Sequence, residues 1–508
     1  MNSISDFLFN TPRRTLIIIA GLAVIVRLIF VFLNDPIPLP SHLNLDDVDY
    51  CTCAKMISEG QGFIDKHGVP TTTRFPVYPH FLGLIFLIFG YHTFAAFVVQ
   101  AFVGGIMPIL TYLIGREYFD EKVSLTTAAI AAFYPSYIVY SGRLMSENLF
   151  IPLVAILIYS TIRLYRNPGW KTAALVGFIV AFTSLCRGVT VPLMMLTPVF
   201  AFFFAQGKIL SRLKVALVTV GVILLTLSPW VARNYIHFNK IFITSSSGGP
   251  VLWMCYFPVP AGDMFQMRRA YAYVDSVGRE NAELEMFYEI LTEDNIFGLD
   301  GAIGYYKDLF PDEEWPENEV EFNRKVLDLL KTELMAQPSI FFVKHIKEFL
   351  RFWHFVTDRG DYVIAYGLIL PFFLGGLWIL RRRWKDFWIL GLFFVYVWIM
   401  ETAFMAAARY RMPFEVIMIV IGSYAIWEFF RNVKPVYIPA GLTAILLTVN
   451  IYFSHNDNTF RQAIRAMVSS VGIPVAVENE SFFPGLPQDS LKNAEEADSA
   501  SGEVEEKR

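Results

Sequence analysis

Three aspartates fall within four consecutive positions near the start of the chain, in Leu45-Asp46-Asp47-Val48-Asp49-Tyr50. A carboxylate held beside a membrane can act as a general base, taking a proton from an acceptor hydroxyl. The structural alternative is that Asp46 or Asp47 caps a helix start, although a cap needs one carboxylate and not three. Tyr50 and Ala54 follow Asp46 at i+4 and i+8, so they share its face if a helix begins here. Arg74 closes the same loop, in Arg74-Phe75-Pro76-Val77-Tyr78-Pro79, where Pro76 and Pro79 stiffen the chain. An arginine fixed there can grip a phosphate with its fork of donors or snorkel to lipid headgroups. On residue type alone both roles stay open.

Further charged residues recur beside apolar runs: Arg143 and Glu147, Arg187, Arg233 after Pro229-Trp230, and Arg409 and Arg411 in Arg409-Tyr410-Arg411-Met412-Pro413. Arg27 lies inside the first apolar run. An ionisable group within a membrane is a functional candidate by default, with snorkelling as the alternative. Carboxylates that handle an acceptor proton, and arginines that neutralise an anionic leaving group, make a coherent pair of roles. No Gly-rich phosphate loop, HExxH motif or Ser/His/Asp arrangement competes with it.

These residues need elements to position them, and composition says which kind. Of 508 residues, 55% are hydrophobic and only 17% charged, against about 25% charged in a soluble protein. Mean hydropathy is +0.45. A net charge of −4 gives no nucleic-acid surface. The apolar excess lies in runs of the length a bilayer requires, about 20 residues. Periodicity and length predict an all-α polytopic membrane protein of about eleven spans, near 15–33, 93–113, 124–141, 148–165, 172–187, 189–206, 214–231, 363–380, 387–405, 412–430 and 435–453. Val77 to Gly90 is apolar but only about 14 residues long, which suits an interfacial or re-entrant piece.

Parity tests the count. With the N-terminus inside, on account of Arg13 and Arg14, the basic connectors all fall on the inner side. They are Arg116 with Lys122; Arg163, Arg166 and Lys171; Lys208, Arg212 and Lys214; Arg381 to Lys385; and Arg431 with Lys434. This obeys the positive-inside rule. It places the 34–92 loop, the 232–362 segment and the C-terminus outside. The arginines at 143, 187, 233, 409 and 411 then oppose the trend. The expected organisation is one membrane module over 1–453, followed by an outer, acidic, largely disordered tail over 454–508.

Within the 232–362 segment, Val326, Leu329, Leu330 and Leu334 recur at helical spacing, Pro338 breaks the run, and 340–355 resumes it. This second stretch is basic, aromatic and amphipathic. It either lies in the headgroup layer or packs on the membrane helices. The first apolar run is long for a cleavable leader and reads as a signal anchor. Asn479-Glu480-Ser481 is a formal glycosylation sequon. The four cysteines, Cys51, Cys53, Cys186 and Cys255, do not have zinc-site spacing, and a disulfide from Cys255 to the first loop is one option.

Taken in order, the motifs resemble the GT-C glycosyltransferases, most closely the bacterial branch near the protein O-mannosyltransferases and the lipid A aminoarabinose transferases. The resemblance is carried by Asp46-Asp47-x-x-Tyr50-x-x-x-Ala54, Gly60-Gln61-Gly62-Phe63 and Arg74-Phe75-Pro76-Val77-Tyr78-Pro79 in the first outer loop. It continues through Gly115-Arg116-Glu117-Tyr118-Phe119, Tyr134-Pro135-Ser136, Ser141-Gly142-Arg143-Leu144-Met145-Ser146-Glu147, Pro229-Trp230-Val231-Ala232-Arg233-Asn234 and Arg409-Tyr410-Arg411-Met412-Pro413. It covers roughly residues 10–430. The sequence departs from the aminoarabinose transferases in having Arg74-Phe75-Pro76 where they carry Lys-Pro-Pro, and Asp49 where they often have Arg.

The resemblance implies a GT-C-like fold with juxtamembrane helices on the outer face. It implies inverting transfer of a sugar from a polyprenyl-phosphate donor to a hydroxyl on a lipid, glycan or protein. By position Asp46 matches the catalytic carboxylate, with Asp47 and Glu147 as acidic partners. Arg74 matches a basic residue at the lipid phosphate, and Arg27, Arg233, Arg409 and Arg411 are expected to share that role. No metal or other cofactor is required, although a divalent cation on Asp46, Asp47 and Glu147 is allowed. The family branch implies a bacterial inner membrane with the site on its periplasmic or extracellular side. Two alternatives belong to other classes. A transporter or flippase of a lipid-linked saccharide would place its charges near the bilayer midplane. A receptor or scaffold would bind glycolipid without turnover.

Overall fold

A helix that crosses lipid must satisfy its backbone internally and face the chains with apolar side chains, and the first helix does both. Helix α1 (Pro12–Leu33) is apolar beyond its first turn except for the buried Arg27, and Ile17, Ile25, Ile29 and Phe32 stand exposed. The computed structural model describes residues 11–33, 45–65, 67–204, 207–256, 306, 310, 312–316, 318–353, 364–404 and 408–431. These are almost wholly helical or in connecting turns, and the one isolated β-bridge among them joins Ile64 to Pro70.

After α1 the first unit continues with α2 (Leu45–Ser58), α3 (Val77–Phe89), α4 (Thr93–Gly104), α5 (Met107–Arg116), α6 (Glu121–Ala132), α7 (Pro135–Val139), α8 (Glu147–Arg166), α9 (Trp170–Ser184), α10 (Val191–Phe204) and α11 (Ile209–Phe238). Six helical stretches among the described residues are long and apolar enough to cross a membrane, or seven if the bent pair Glu121–Ala132 and Pro135–Gly142 counts as one. The protein is therefore a multi-pass membrane protein. The expected count of eleven is not reached by length alone, because α9 and α10 are short. The expected span at 435–453 lies outside the described residues. Helix α3 has 13 residues, about 20 Å at 1.5 Å per residue, which is too short for a core of about 30 Å.

Three helices near the C-terminal end of this unit follow α12 (Gly248–Tyr256), α13 (Glu319–Ala336) and α14 (Pro338–Arg351). They are α15 (Ile364–Leu380), α16 (Trp384–Ala403) and, after the short α17 (Ala408–Arg411), α18 (Glu415–Arg431). The 39-residue stretch Ala365–Ala403 is a hairpin. Phe373 and Phe394 have ring centroids 4.9 Å apart, whereas a straight helix would hold them about 30 Å apart. The chain therefore reverses at Arg381–Arg383, as the basic connector there requires. Close helix approach uses missing side chains. A Cβ on Gly177 would come 2.7 Å from the Thr219 carbonyl oxygen, and one on Gly376 would come 2.6 Å from that of Ile421.

The basic connectors gather at one end of the bundle. Glu117 pairs with Arg163 at 3.2 Å and with Arg166 at 2.7 Å, and Arg116 pairs with Glu121 at 3.4 Å. Helix α8 runs 20 residues from Glu147 to this end, about 30 Å, so its acidic N-terminus belongs to the opposite end.

The chain divides into two compact units, Met1–Gly248 with Val343–Ile464, and Gly249–Phe342 with Arg465–Arg508. The second unit covers 249–342, a stretch that the sequence reading includes in the module over 1–453. In this second unit Trp253, Tyr306, Phe322, Val326 and Leu330 form a core of their own. Asn318 caps α13 by accepting from the Val320 and Glu321 amides, and the helix ends before Pro338 as expected. In the first unit the C-terminal half of α14 packs on α16. Phe349 stacks on Trp398 at 4.5 Å, and Lys344 donates to the Ala403 carbonyl at 2.6 Å. Of the two readings for this helix, packing on the membrane helices is the one observed. The tail at 454–508 and its sequon lie outside the described residues. Cys51, Cys53, Cys186 and Cys255 form no disulfide among the described residues, including the one expected from Cys255 to the first loop.

Candidate active site

The acidic cluster opens α2. Both Asp46 and Asp47 lie within the first turn of the helix, where the exposed backbone amides favour negative charge. Asp47 turns inward and is buried, whereas Asp46 keeps about a quarter of its side chain exposed. Tyr50 and Ala54 are buried beside it, on the face that the spacing anticipated.

Arg74 reaches this cluster from a pinned loop. The Ser245 and Ser247 hydroxyls donate to the Thr73 carbonyl at 2.6 and 2.9 Å, and the Ser246 amide donates to that of Thr72 at 3.0 Å. The fork of Arg74 is fully engaged. Nη1 lies 2.8 Å from Oδ1 of Asp46, while Nη2 and Nε donate to Oδ2 of Asp49 at 2.7 and 3.1 Å. Its guanidinium also lies 5.3 Å from the centre of the Tyr50 ring. From the far end of the sequence, Arg409 places Nη1 2.9 Å from Oδ2 of Asp46 and donates Nη2 to the Tyr410 hydroxyl at 2.8 Å.

A second carboxylate–arginine pair adjoins the first. Glu147, fully buried at the start of α8, pairs with Arg187 at 2.6 Å. Nη1 of Arg187 also donates to the Ser146 hydroxyl at 2.9 Å, which in turn accepts from the Tyr50 hydroxyl at 3.1 Å. The Tyr410 ring links the two pairs, with Arg187 5.3 Å and Arg409 4.9 Å from its centre. Two contacts tie the Arg187 loop to the Arg74 loop. The Val77 amide donates to the Leu185 carbonyl at 3.1 Å, and a Cβ on Gly188 would come 2.8 Å from the Phe75 ring.

The charges govern one another. Burial pushes the Asp46 carboxyl up, but the guanidinium groups of Arg74, Arg409 and Arg187 outweigh it and hold the carboxyl well below the usual range. Burial pushes the Tyr50 phenol up to about 12 against the opposing charges of Arg74 and Arg187. For Arg74 and Arg187 burial favours the neutral form, but the facing carboxylates more than offset it, so both stay charged. As built, Asp46 is a bound anion and a weak base. Among the described residues no group of three or more His, Cys, Asp or Glu side chains is close enough to hold a metal ion.

Of the residues singled out in sequence, the structure brings together Asp46, Glu147, Arg74 and Arg409, with Asp47 behind them. Three arginines expected at the donor phosphate have other surroundings. Arg27 is fully buried between helices, donating to the Ala23 and Ala132 carbonyls at 2.9 and 3.1 Å. Arg233 donates to the Phe63 carbonyl at 2.6 Å and lies against the Trp230 ring at 5.0 Å. Arg411 is buried, paired with Glu415 at 3.2 Å, and sits 3.3 Å from the centre of the Tyr366 ring. Arg187, Ser146, Tyr50 and Tyr410 join the site without having been assigned to it. For Arg187 the sequence signal was its departure from the positive-inside trend, which Arg143 and Arg233 share.

A helical membrane bundle with a carboxylate–arginine centre at one end is thus what the chain forms. Residues 69–232 match the family model described as dolichyl-phosphate-mannose-protein mannosyltransferase, which places this part of the chain in the GT-C superfamily of glycosyltransferases. A sequence search of curated proteins finds no match. Among solved structures, an oligosaccharyltransferase from Archaeoglobus fulgidus tethered with an acceptor peptide shares 16% identity, with a TM-score of 0.48, over 93% of this chain and 56% of that one. The oligosaccharyltransferase AglB from the same organism, in complex with an inhibitory peptide and a dolichol-phosphate, gives 16% and 0.47 over 91% and 56%. ArnT from Cupriavidus metallidurans bound to undecaprenyl phosphate gives 12% and 0.33 over 81% and 77%. The chain thus spans about half the length of the archaeal oligosaccharyltransferases it resembles.

Proposed function

We propose that this protein transfers a sugar from a polyprenyl-phosphate donor to a hydroxyl acceptor, with inversion, at the outer face of a bacterial inner membrane. The observation that carries the reading is Asp46 held between Arg74 and Arg409 at the end of the bundle away from the basic connectors. Family membership over 69–232 supports it, and so does the segregation of basic connectors, since that end is expected to face the cytoplasm.

The chemistry follows from the charges. The donor is a phosphodiester with one negative charge, and it leaves as a phosphomonoester with one more. Its phosphate competes with Asp46 for Arg74 and Arg409. As those arginines turn to the phosphate, Asp46 loses the cations that depress its basicity and becomes able to accept the acceptor proton. The acceptor oxygen attacks the anomeric carbon in line, the bond to the phosphate oxygen breaks, and the proton stays on Asp46 until solvent removes it. Stabilising the leaving charge by one preorganised donor is worth about 2.7–4 kcal/mol. Glu147 holds Arg187 and Ser146 in register with Tyr50.

The test is transfer from a synthetic polyprenyl-phosphate sugar by purified protein in detergent, where no second compartment exists. Asp46→Asn should lower turnover by about 10²–10⁴-fold with unchanged expression and monodispersity. Near-wild-type turnover would remove Asp46 as the base. Absence of product with the intact protein across sugars and acceptors would favour a carrier or a receptor instead.

A further inference from the structure

We infer that Arg187 is an anion-binding residue and that the group it takes is the phosphate of the lipid-linked donor. This rests on the reading above that the donor is a polyprenyl phosphate. The argument is an inventory of donors. A guanidinium offers five N–H groups. Arg74 spends Nη1, Nη2 and Nε on Asp46 and Asp49. Arg409 spends Nη1 on Asp46 and Nη2 on Tyr410. Arg187 uses Nη1 alone, on Glu147 and Ser146. Its Nε and Nη2 have no partner among the described residues, and 16% of its side chain remains exposed.

The open edge is also held in place. The Phe150 and Tyr410 rings lie 5.7 and 5.3 Å from the guanidinium carbon. The Arg187 amide donates to the Thr183 carbonyl at 3.0 Å. Arg409 lies against the same Tyr410 ring, so two guanidinium groups adjoin one aromatic ring next to Asp46. An anion seated there takes two free donors from Arg187 before it must displace any carboxylate. Arg74 can bind it only by giving up Asp46 or Asp49, and Arg409 has only Nε to offer while it holds Asp46 and Tyr410. Arg187 is therefore the first contact of the phosphate, and the transfer of Arg409 from Asp46 follows.

Neutralising the buried Glu147 would by itself explain the ion pair but not an unused edge, and the two roles separate in binding. The probe is farnesyl phosphate, with inorganic phosphate in parallel, titrated against the full chain in detergent. Arg187→Gln is expected to weaken farnesyl phosphate about 10- to 100-fold, as loss of charge-assisted hydrogen bonds does. Arg187→Lys should recover part of this, since it restores the charge without the fork. Glu147→Gln frees Nη1 and removes a competing anion, so affinity should be equal or tighter. Arg187→Gln leaves Glu147 buried and uncompensated. The double variant Arg187→Gln/Glu147→Gln removes that strain and should show the same loss of affinity. Equal losses in Glu147→Gln and Arg187→Gln, or wild-type affinity in the double variant, would overturn the assignment. Failure of the intact protein to bind farnesyl phosphate would overturn the donor reading and this inference with it. Inorganic phosphate binding as tightly as farnesyl phosphate would show a seat for free phosphate and overturn the assignment to a lipid-linked donor.

Discussion

Nη1 of Arg409 lies 2.9 Å from Oδ2 of Asp46, across 363 positions of sequence. The contact closes the site, since it brings the start of α2 against the segment that leads into the last described membrane helix. It also sets the acid side of catalysis. With Arg409→Gln, the upward push of burial on Asp46 meets less opposition, so the carboxyl takes its proton at higher pH. The acid limb of the kcat/KM profile should therefore move to higher pH, and kcat should fall about 10²–10³-fold. The same residue links pH to stability. Its folded pKa is depressed below the unfolded value of about 3.9, so its contribution is present above about pH 4 and is lost as pH falls through the folded pKa. Arg409→Gln should shrink that acid-side loss, measured by thermal unfolding in detergent at pH 3 to 6. A kcat/KM profile that does not move would mean Arg409 leaves Asp46 alone in solution.

Asp49 makes a subtler prediction. It accepts two donors of Arg74 and so positions that arginine. Asp49→Asn should cost about tenfold in kcat, well short of the loss for Asp46→Asn, with the acid limb nearly in place. A loss equal to that of Asp46→Asn would make Asp49 the stronger candidate for the base.

Arg411 was expected with Arg409, and the reason it is not there is elementary. Residues two apart on a helix point about 200° apart, so in α17 (Ala408–Arg411) one arginine faces Asp46 while the other enters the core. There it pairs with Glu415, whose other oxygen accepts from the Tyr134 hydroxyl at 2.7 Å. Breaking a buried pair costs about 3–5 kcal/mol. Arg411→Gln should therefore lower the melting temperature sharply, while Arg409→Gln, which leaves Asp46 paired with Arg74, should lower it much less at neutral pH. Equal melting temperatures would contradict the division between them.

Much of the bundle was legible because lipid imposes length and apolarity on each span, and the ordered motifs pointed to Asp46, Arg74, Glu147 and Arg409. Which arginines converge was not legible, because charge type does not encode orientation. Arg27 sits in a run that reads as a span, yet its donors turn to the Ala23 and Ala132 carbonyls inside the bundle. Arg187 looked no different in sequence from Arg233. What separates them is tertiary, a buried Glu147 within 2.6 Å of one and a backbone carbonyl of Phe63 for the other. The hairpin at Arg381–Arg383 was legible because a basic connector marks where the chain must leave lipid. The separate unit at 249–342 was not, since its core joins Phe322, Val326 and Leu330, which share one helix face, to Trp253 and Tyr306 from distant positions of the chain.

The last prediction concerns how the two arginine loops are held in register. A Cβ on Gly188 would come 2.8 Å from the Phe75 ring. Phe75 follows Arg74 in sequence and Gly188 follows Arg187, so any displacement there passes to both guanidinium groups. Gly188→Ala should leave the fold intact at a cost of about 1–3 kcal/mol for overpacking. Because small misplacements at a catalytic site are costly, transfer should fall by about tenfold or more. Shortening the ring relieves the clash, so Phe75→Leu in the Gly188→Ala background should recover much of the activity, whereas Phe75→Leu alone should gain none. Comparing kcat/KM of the two single variants and the double variant measures this coupling. Additive losses would mean the two loops move independently and that Arg74 and Arg187 are positioned by their carboxylates alone.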